Sequence, residues 1–392
     1  MKYLQICAII AEYNPFHNGH KYMIDKVRKA GGTHVVAVMS GSFVQRGDVA
    51  ICDKYSRTRM AIEGGADLVI ELPVTYAAAT AQRFAHGAVA LIKALGCVDT
   101  LAFGSECGDS KLLDKIADAI DYPDVVEKMK ENLSLGMSFA SARQSALEMC
   151  GYEGGILQNA NDTLAVCYID EIYRQNACLD RMAIKRKGVG HDGGAKGSFA
   201  SASAIRNMVA DGDNFAPYMP WDAADILQRQ IDCGHSPMLL AQLDRAFMAK
   251  LRSMSVEDIA NLPDISEGLE NRIYKAVREC GSVFDVADAV KSKRYTHARI
   301  RRILLSALLG IDKQLYALEP QYIRVLGFND KGREILAAAK PSLPIIARAK
   351  DAANLSATAR RLLDAQSVAD GIAALAADSP LPHPDDVEVV IV

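Results

Sequence analysis

The chain has 392 residues, half of them apolar and 24% charged, with a formal net charge of −3. That composition fits a globular protein of two or three domains with ample core, and no uninterrupted apolar run approaches membrane-spanning length. The start, MKYLQICAIIAEYN, lacks a signal-peptide layout, so a cytoplasmic protein without a membrane partner is expected. Nine scattered cysteines with no C-x-x-C pair argue against a zinc site and a disulfide framework. The near-neutral charge gives no global field for nucleic acid, although a local basic face can supply phosphate contacts.

Residues 3–11, YLQICAIIA, form a continuous apolar run short enough for a buried strand. GHKYMIDKVRKAGG (19–32) follows with helical spacing of Tyr22, Met23 and Val27 and a glycine stop. THVVAVMS (33–40), ADLVIELP (66–73) and VDTLAFG (98–104) read as strands, separated by helices over 53–65 and 83–96. Strand and helix in alternation predict an α/β, doubly wound, Rossmann-like parallel sheet. Residues 110–180 are mainly helical, and DRMAIKRKG (180–188) gives one more strand. A glycine-rich loop then leads into a helix opened by Ser201 and Ser203. Beyond residue 212 the strand signals fade, and 213–350 read as amphipathic helices. The expected division is a nucleotide-handling domain over 1–212 and a mainly helical domain over 213–392, with the last fifteen residues unassigned.

In open parallel sheets, ligands bind beyond the carboxyl ends of the strands. AEYNPFHNGHKYM (11–23) lies at such a point. Gly19 lets backbone approach a ligand, a helix N-terminus follows, and His17 and His20 can both address one phosphate. Imidazole donors there would stabilise charge developing on an α-phosphate as pyrophosphate leaves. A pair of loop histidines capping backbone carbonyls is the alternative. GSFVQRGDVAICDKYSRTRMA (41–61) leaves the second strand on the same edge with Gln45, Arg46, Lys54, Arg57 and Arg59. Arg57 and Arg59 read as a solvated helix face, whereas Arg46 and Lys54 are candidates for triphosphate or substrate. FGSE (103–106) ends another strand, where Gly104 would admit a ribose or base, or simply turn the chain. ASASAIR (200–206) places Ser203 and Arg206 at a helix start, either a second phosphate cradle or an N-cap.

H-x-G-H after the first strand, with an S-x-x-IR-like element at the end of the domain, resembles the HIGH superfamily of nucleotidyltransferases. EYNPFHNGH, MSGSFVQRGD, DLVIELP, FAHGAV, LGCVDTLAFGSE, SEGLENRI and KSKRYTHARIRR together resemble the bacterial tRNA(Met) cytidine acetate ligases over most of the chain. The resemblance implies activation of acetate by ATP as acetyl-adenylate, then acetyl transfer to the wobble cytidine of elongator tRNA(Met). It implies an ATP site formed by Ile10, Ala11, Glu12, Tyr13, Asn14, Pro15, Phe16, His17, Asn18, Gly19, His20, Lys21, Tyr22 and Met23. Gly104 would lie by the nucleoside, and Asn161 and Arg186 would complete the nucleotide site. Magnesium is expected with the triphosphate, although no carboxylate cluster stands out. Where the family typically has Asn-Asn-Ile-Leu-Gly, this chain has Asn161-Asp162-Thr163-Leu164-Ala165. Asp162 would put a carboxylate near the phosphates, assisting a magnesium ion or altering substrate choice.

KSKRYTHARIRR (291–302) carries Lys291, Lys293, Arg294, Arg299, Arg301 and Arg302 with no acidic residue. It reads either as the solvated side of an amphipathic helix or as an RNA-backbone contact, with Tyr295 or His297 able to stack an unpaired base. In GLENRIYKAV (268–277), core packing is expected, with Arg272 able to face the cleft. Two other readings compete with the ligase. A small-molecule adenylyltransferase acting on a phosphorylated cofactor precursor shares the histidine motif but needs no large basic helical part. A non-catalytic nucleotide- or RNA-binding protein needs neither intact histidines nor the terminal arginine element.

Overall fold

The apolar runs ICAIIA (6–11) and VVAVM (35–39) can be buried only if both faces of the strands are covered, and they are. The structure, a computed structural model, describes residues 4–187, 194–266, 268–292, 295–382 and 388–392. Strands β1 (Ile6–Ala11), β2 (His34–Ser40), β3 (Leu68–Leu72), β4 (Thr100–Ser105) and β5 (Asp180–Lys185) lie in the order β3-β2-β1-β4-β5, all parallel. Cys7 and Ile9 of β1 enter one apolar layer, and Ile6 and Ala8 enter the other. The expected doubly wound sheet is therefore present, with each strand end falling within a few residues of its predicted place.

The order of addition reverses between β1 and β4. Their carboxyl ends thus lead away from each other and open the crevice where such sheets bind ligands. Helix α1 (Asn18–Lys29) follows β1, α2 (Lys54–Glu63) precedes β3, and α3 (Ala81–Leu95) precedes β4. Helix α4 (Ala160–Arg174) precedes β5, and α5 (Ala202–Asp211) closes this part of the chain.

The reading of 213–350 as helices alone needs correction. Ile323–Phe328 forms strand β6, antiparallel to β3 with Val325 opposite Ile70, and it extends the same sheet. Strands β7 (Ile345–Ile346) and β8 (Val390–Ile391) both pair with β6. Six residues are too few to separate strand from helix by periodicity, and Arg324 interrupts the apolar run. Inside the fold Arg324 is matched by Glu71 of β3, 3.7 Å away. The rest of 213–392 is mainly helical, including α6 (Trp221–Asp232), α7 (His297–Leu309) and α8 (Ala357–Ala374). It has its own core, in which Leu251, Ile273, Val286 and Ile300 are fully buried. No helix of the described residues is long and apolar enough to cross a membrane.

Candidate active site

The chain leaves β1 through Glu12 to Phe16 and enters α1 at His17, which adopts extended backbone (φ −136°) and caps the helix. His17 Nδ1 accepts from the Gly19 amide at 3.0 Å, and His20 Nδ1 accepts from the His17 amide at 3.2 Å. This reciprocal capping box is built from two imidazoles rather than a hydroxyl and a carboxylate. Their rings stack, centroids 3.8 Å apart and planes within 18°. Because each Nδ1 is an acceptor, each neutral ring carries its proton on Nε2, which leaves a pair of parallel N–H donors. Burial holds the His17 pKa down at about 3, with Arg186 and then Arg206 adding to the effect. His20 is pushed well below its ordinary value by burial, His17 and Arg186. Both rings are therefore neutral donors at any physiological pH, at the positive end of a helix.

The loop is fixed from three sides. Asn14 Oδ1 accepts from the Ile51 amide at 2.8 Å, and Arg206 Nη1 donates to the Asn14 carbonyl at 2.9 Å. Arg57 donates to the carbonyls of Glu12 (2.8 Å), Ser40 (3.0 Å), Cys52 (3.2 Å) and Gly41. Tyr13, at φ +45°, is held in a conformation that costs a non-glycine residue energy, with its ring buried beside Phe16. The SASAIR element thus meets the histidine loop directly. Ser201 is the N-cap of α5, accepting from the Ala204 amide at 3.1 Å, and Ser203 Oγ lies 3.1 Å from Ser201 Oγ.

Across the crevice, the ends of β4 and β5 and the first turn of α4 bring Gly104, Asn161 and Arg186 together. Arg186 Nη1 is 3.5 Å from Asn161 Oδ1, and Asn161 Nδ2 donates to Glu106 Oε1 at 2.6 Å. Glu106 also accepts from the Asp162 amide at 3.0 Å. A β-carbon on Gly104 would meet the Arg186 side chain, Cγ at an ordinary 3.6 Å and Nη1 at 4.0 Å. No described neighbour requires glycine there.

A family model described as HIGH Nucleotidyl Transferase matches residues 4–384. The tRNA(Met) cytidine acetate ligase of Caldanaerobacter subterraneus subsp. tengcongensis is 42% identical over 88% of this chain and 89% of that protein. The enzyme of the same name from Thermotoga maritima is 38% identical over 86% of this chain. The chain belongs to the tRNA(Met) cytidine acetate ligase family. The crystal structure of Thermotoga maritima TmcAL bound with α-thio ATP superposes with a TM-score of 0.92, 32% identity and 99% coverage of both chains.

Within this family fold, several residues stand elsewhere than their sequence position suggested. Lys54 is buried, with Nζ 2.7 Å from Glu71 Oε1 and 2.5 Å from Asp370 Oδ2. Burial opposes its charge, but Asp370 and Glu71 more than offset this and raise its pKa above the ordinary lysine value. Its ammonium is committed to the interior rather than to a phosphate. Arg57, expected on a solvated face, is fully buried, whereas Arg59 is exposed as expected. Arg46 is exposed near the turn of a two-stranded ribbon, Phe43–Val44 with Asp48–Val49. Asp162 is fully buried and does not reach toward phosphates: its carboxylate accepts from Ser105 Oγ at 2.5 Å and the Glu106 amide at 3.0 Å. It organises the turn after β4.

On the basic stretch, Tyr295 is buried in the helical core and offers no face for stacking. Arg299 donates to the Asp264 carbonyl at 2.7 Å and Ser266 Oγ at 3.1 Å. Arg302 is mostly buried and 4.0 Å from Asp264, while Arg301 is half-buried. Lys291 is exposed, and His297 lies 3.5 Å from Asp288. Lys293 and Arg294 lie outside the described residues. Arg272 donates to the carbonyls of Ala289 and Lys291, both at 3.0 Å, and so supports a helix end. Glu106 was not singled out from the sequence, and Arg57 and Asn18 were read there without the contacts they make. Asn18 fills the variable position of H-x-G-H, where the motif carries no signal, yet its Nδ2 donates to both Ser198 O (2.8 Å) and Pro217 O (3.1 Å).

Proposed function

We propose that the chain activates acetate with ATP and acetylates the exocyclic amine of the wobble cytidine of elongator tRNA(Met), forming N4-acetylcytidine. An acetate oxygen attacks the α-phosphorus and pyrophosphate leaves, giving acetyl-adenylate. The cytidine amine then attacks the acetyl carbonyl, loses a proton and displaces AMP. The amine is a poor nucleophile because its lone pair is delocalised into the ring, so an activated acyl donor is needed.

The observation that carries this reading is the capped histidine pair. Two Nε2–H donors, oriented before substrate arrives and unable to lose their role by titration near neutrality, suit the charge that develops at the α-phosphate. In this reading the segment Ile10 to Met23 holds ATP, and Ser203 and Arg206 contact its phosphates. Asn161 and Arg186 bind the nucleotide, whose sugar or base lies over Gly104. Among the described residues no group of three His, Cys, Asp or Glu side chains is placed to hold a metal ion. Magnesium would therefore arrive with ATP, held by phosphate oxygens and water. The part up to residue 212 carries the chemistry. Residues 213–392 carry tRNA through cations such as the exposed Lys291 and the half-buried Arg301, and the protein acts in the cytoplasm.

The test is pyrophosphate release from ATP by the purified protein, with acetate, with tRNA(Met), with both, and with phosphorylated cofactor precursors. Release that depends on acetate supports the ligase. Release with a precursor alone would instead establish a small-molecule adenylyltransferase.

A further inference from the structure

Asn18 does more than fill a gap between the histidines, because its two hydrogen bonds tie two surface segments to the mouth of the site. One segment is the ribbon Ala195–Lys196 with Phe199–Ala200, held through Ser198. Its Phe199 meets Tyr22 of α1 edge-on at 6.3 Å. The Lys187 ammonium lies over both rings, 5.6 Å from Phe199 and 5.9 Å from Tyr22, and Lys26 lies 5.3 Å from Tyr22. The other segment is the turn held through Pro217. Four residues later, no more than about 15 Å along the chain, α6 begins with Trp221. Trp221 is the only tryptophan of the chain, and it is 77% exposed.

Tryptophan has the largest apolar surface of any side chain, and leaving it in water is unfavourable unless a partner covers it. The chemistry of the other segment tied to Asn18 names a partner. An unpaired nucleobase offers a flat π-face, and its phosphates need cations nearby, which Lys26 and Lys187 supply at the Phe199–Tyr22 pair. We propose that Trp221 and the Phe199–Tyr22 pair are stacking platforms for unpaired bases of the RNA loop whose cytidine enters the histidine site. This rests on the function proposed above. It also places base stacking at the edge of the catalytic crevice, whereas the buried Tyr295 cannot supply it.

The single tryptophan makes the test direct. Full-length protein is titrated with tRNA(Met), with ATP, and with a fully double-stranded RNA of equal charge, while tryptophan emission and acetylation kinetics are followed. The proposal expects tRNA to quench emission strongly, with little effect from ATP or the duplex. Replacing Trp221 by alanine (W221A) should raise the KM for tRNA about tenfold or more with kcat retained, as expected for one lost stack. W221F should restore most of that loss, and F199A should raise the same KM. If tRNA is bound and acetylated while emission is unchanged, or W221A keeps the wild-type KM, the platform is overturned and the acetylation reading stands. If wild-type protein acetylates no RNA at all, the failure belongs to the proposed function and the platform falls with it.

Discussion

Gly47 and Arg302 meet backbone to backbone: a β-carbon on Gly47 would stand 2.8 Å from the Arg302 amide nitrogen. Gly47 turns the ribbon at φ +74°, a conformation that itself disfavours side chains. On the same ribbon the Gln45 amide donates to Glu12 Oε1 at 3.0 Å, at the exit of β1. A short path of contacts therefore joins the basic helix α7 to the loop that carries the histidines. Replacing Gly47 by alanine should destabilise the fold by about 1–3 kcal/mol. Denaturant unfolding checks this, and wild-type stability would show that the two backbones do not need this close approach.

Arg57 is the second lock on that loop. Its removal, for example Arg57→Met, leaves buried carbonyls of Glu12, Ser40, Gly41 and Cys52 without their donor. A cost of about 3 kcal/mol or more is expected, together with weaker ATP binding as the loop loosens. Calorimetric unfolding and ATP titration measure the two effects. A variant with full stability would return Arg57 to the surface role that its helix spacing suggested.

Lys54 separates a structural from a substrate role. Lys54→Met would leave Asp370 buried without its cation and Glu71 with Arg324 alone, so about 3–5 kcal/mol of stability should be lost. The KM for ATP in the surviving folded protein should change little. A stable variant with a selectively raised KM for ATP would instead place the ammonium on a phosphate.

The histidines give a signed pH dependence. His17 has a folded pKa of about 3, below its unfolded value, so between the two the unfolded chain binds more protons than the folded one. Stability should therefore fall as pH drops from the ordinary histidine range toward about 3, while no histidine titration appears in the rate near neutrality. Pyrophosphate release by His20→Ala should fall by about 10²–10³, the effect of losing one preorganised donor. A rate inflection near the ordinary histidine pKa, abolished in His17→Gln, would contradict neutral donors.

Strand β6 changes what truncation should do. A fragment ending at residue 212 removes the partner of β3 and exposes an apolar strand edge. It should aggregate or unfold rather than retain ATP affinity. A monomeric, ATP-binding fragment 1–212 would show that the first part folds independently of β6.

The sequence was legible where its signals were local. Five strands announced themselves by short, mostly apolar runs set between helices, and H-x-G-H by its place between strand and helix. Contacts made across the chain were not legible. Lys54 and Asp370 are 316 positions apart, so the lysine looked free when it was already matched. Tyr295 sits among cations in the sequence, yet its neighbours in space are Ile300-type core residues of the helical part. Asp162 looked like a charge near phosphate because its role depends on the Ser105 turn, 57 residues away. Arg324 disguised β6 because its counter-charge, Glu71, lies on a distant strand.

The most direct measurement supplies labelled acetate, ATP and elongator tRNA(Met) to the purified protein, then digests the RNA to nucleosides. The account predicts label in N4-acetylcytidine at the wobble position, dependent on ATP and lost in His17→Ala or His20→Ala. Unlabelled tRNA, from protein that still binds ATP and tRNA, would contradict it.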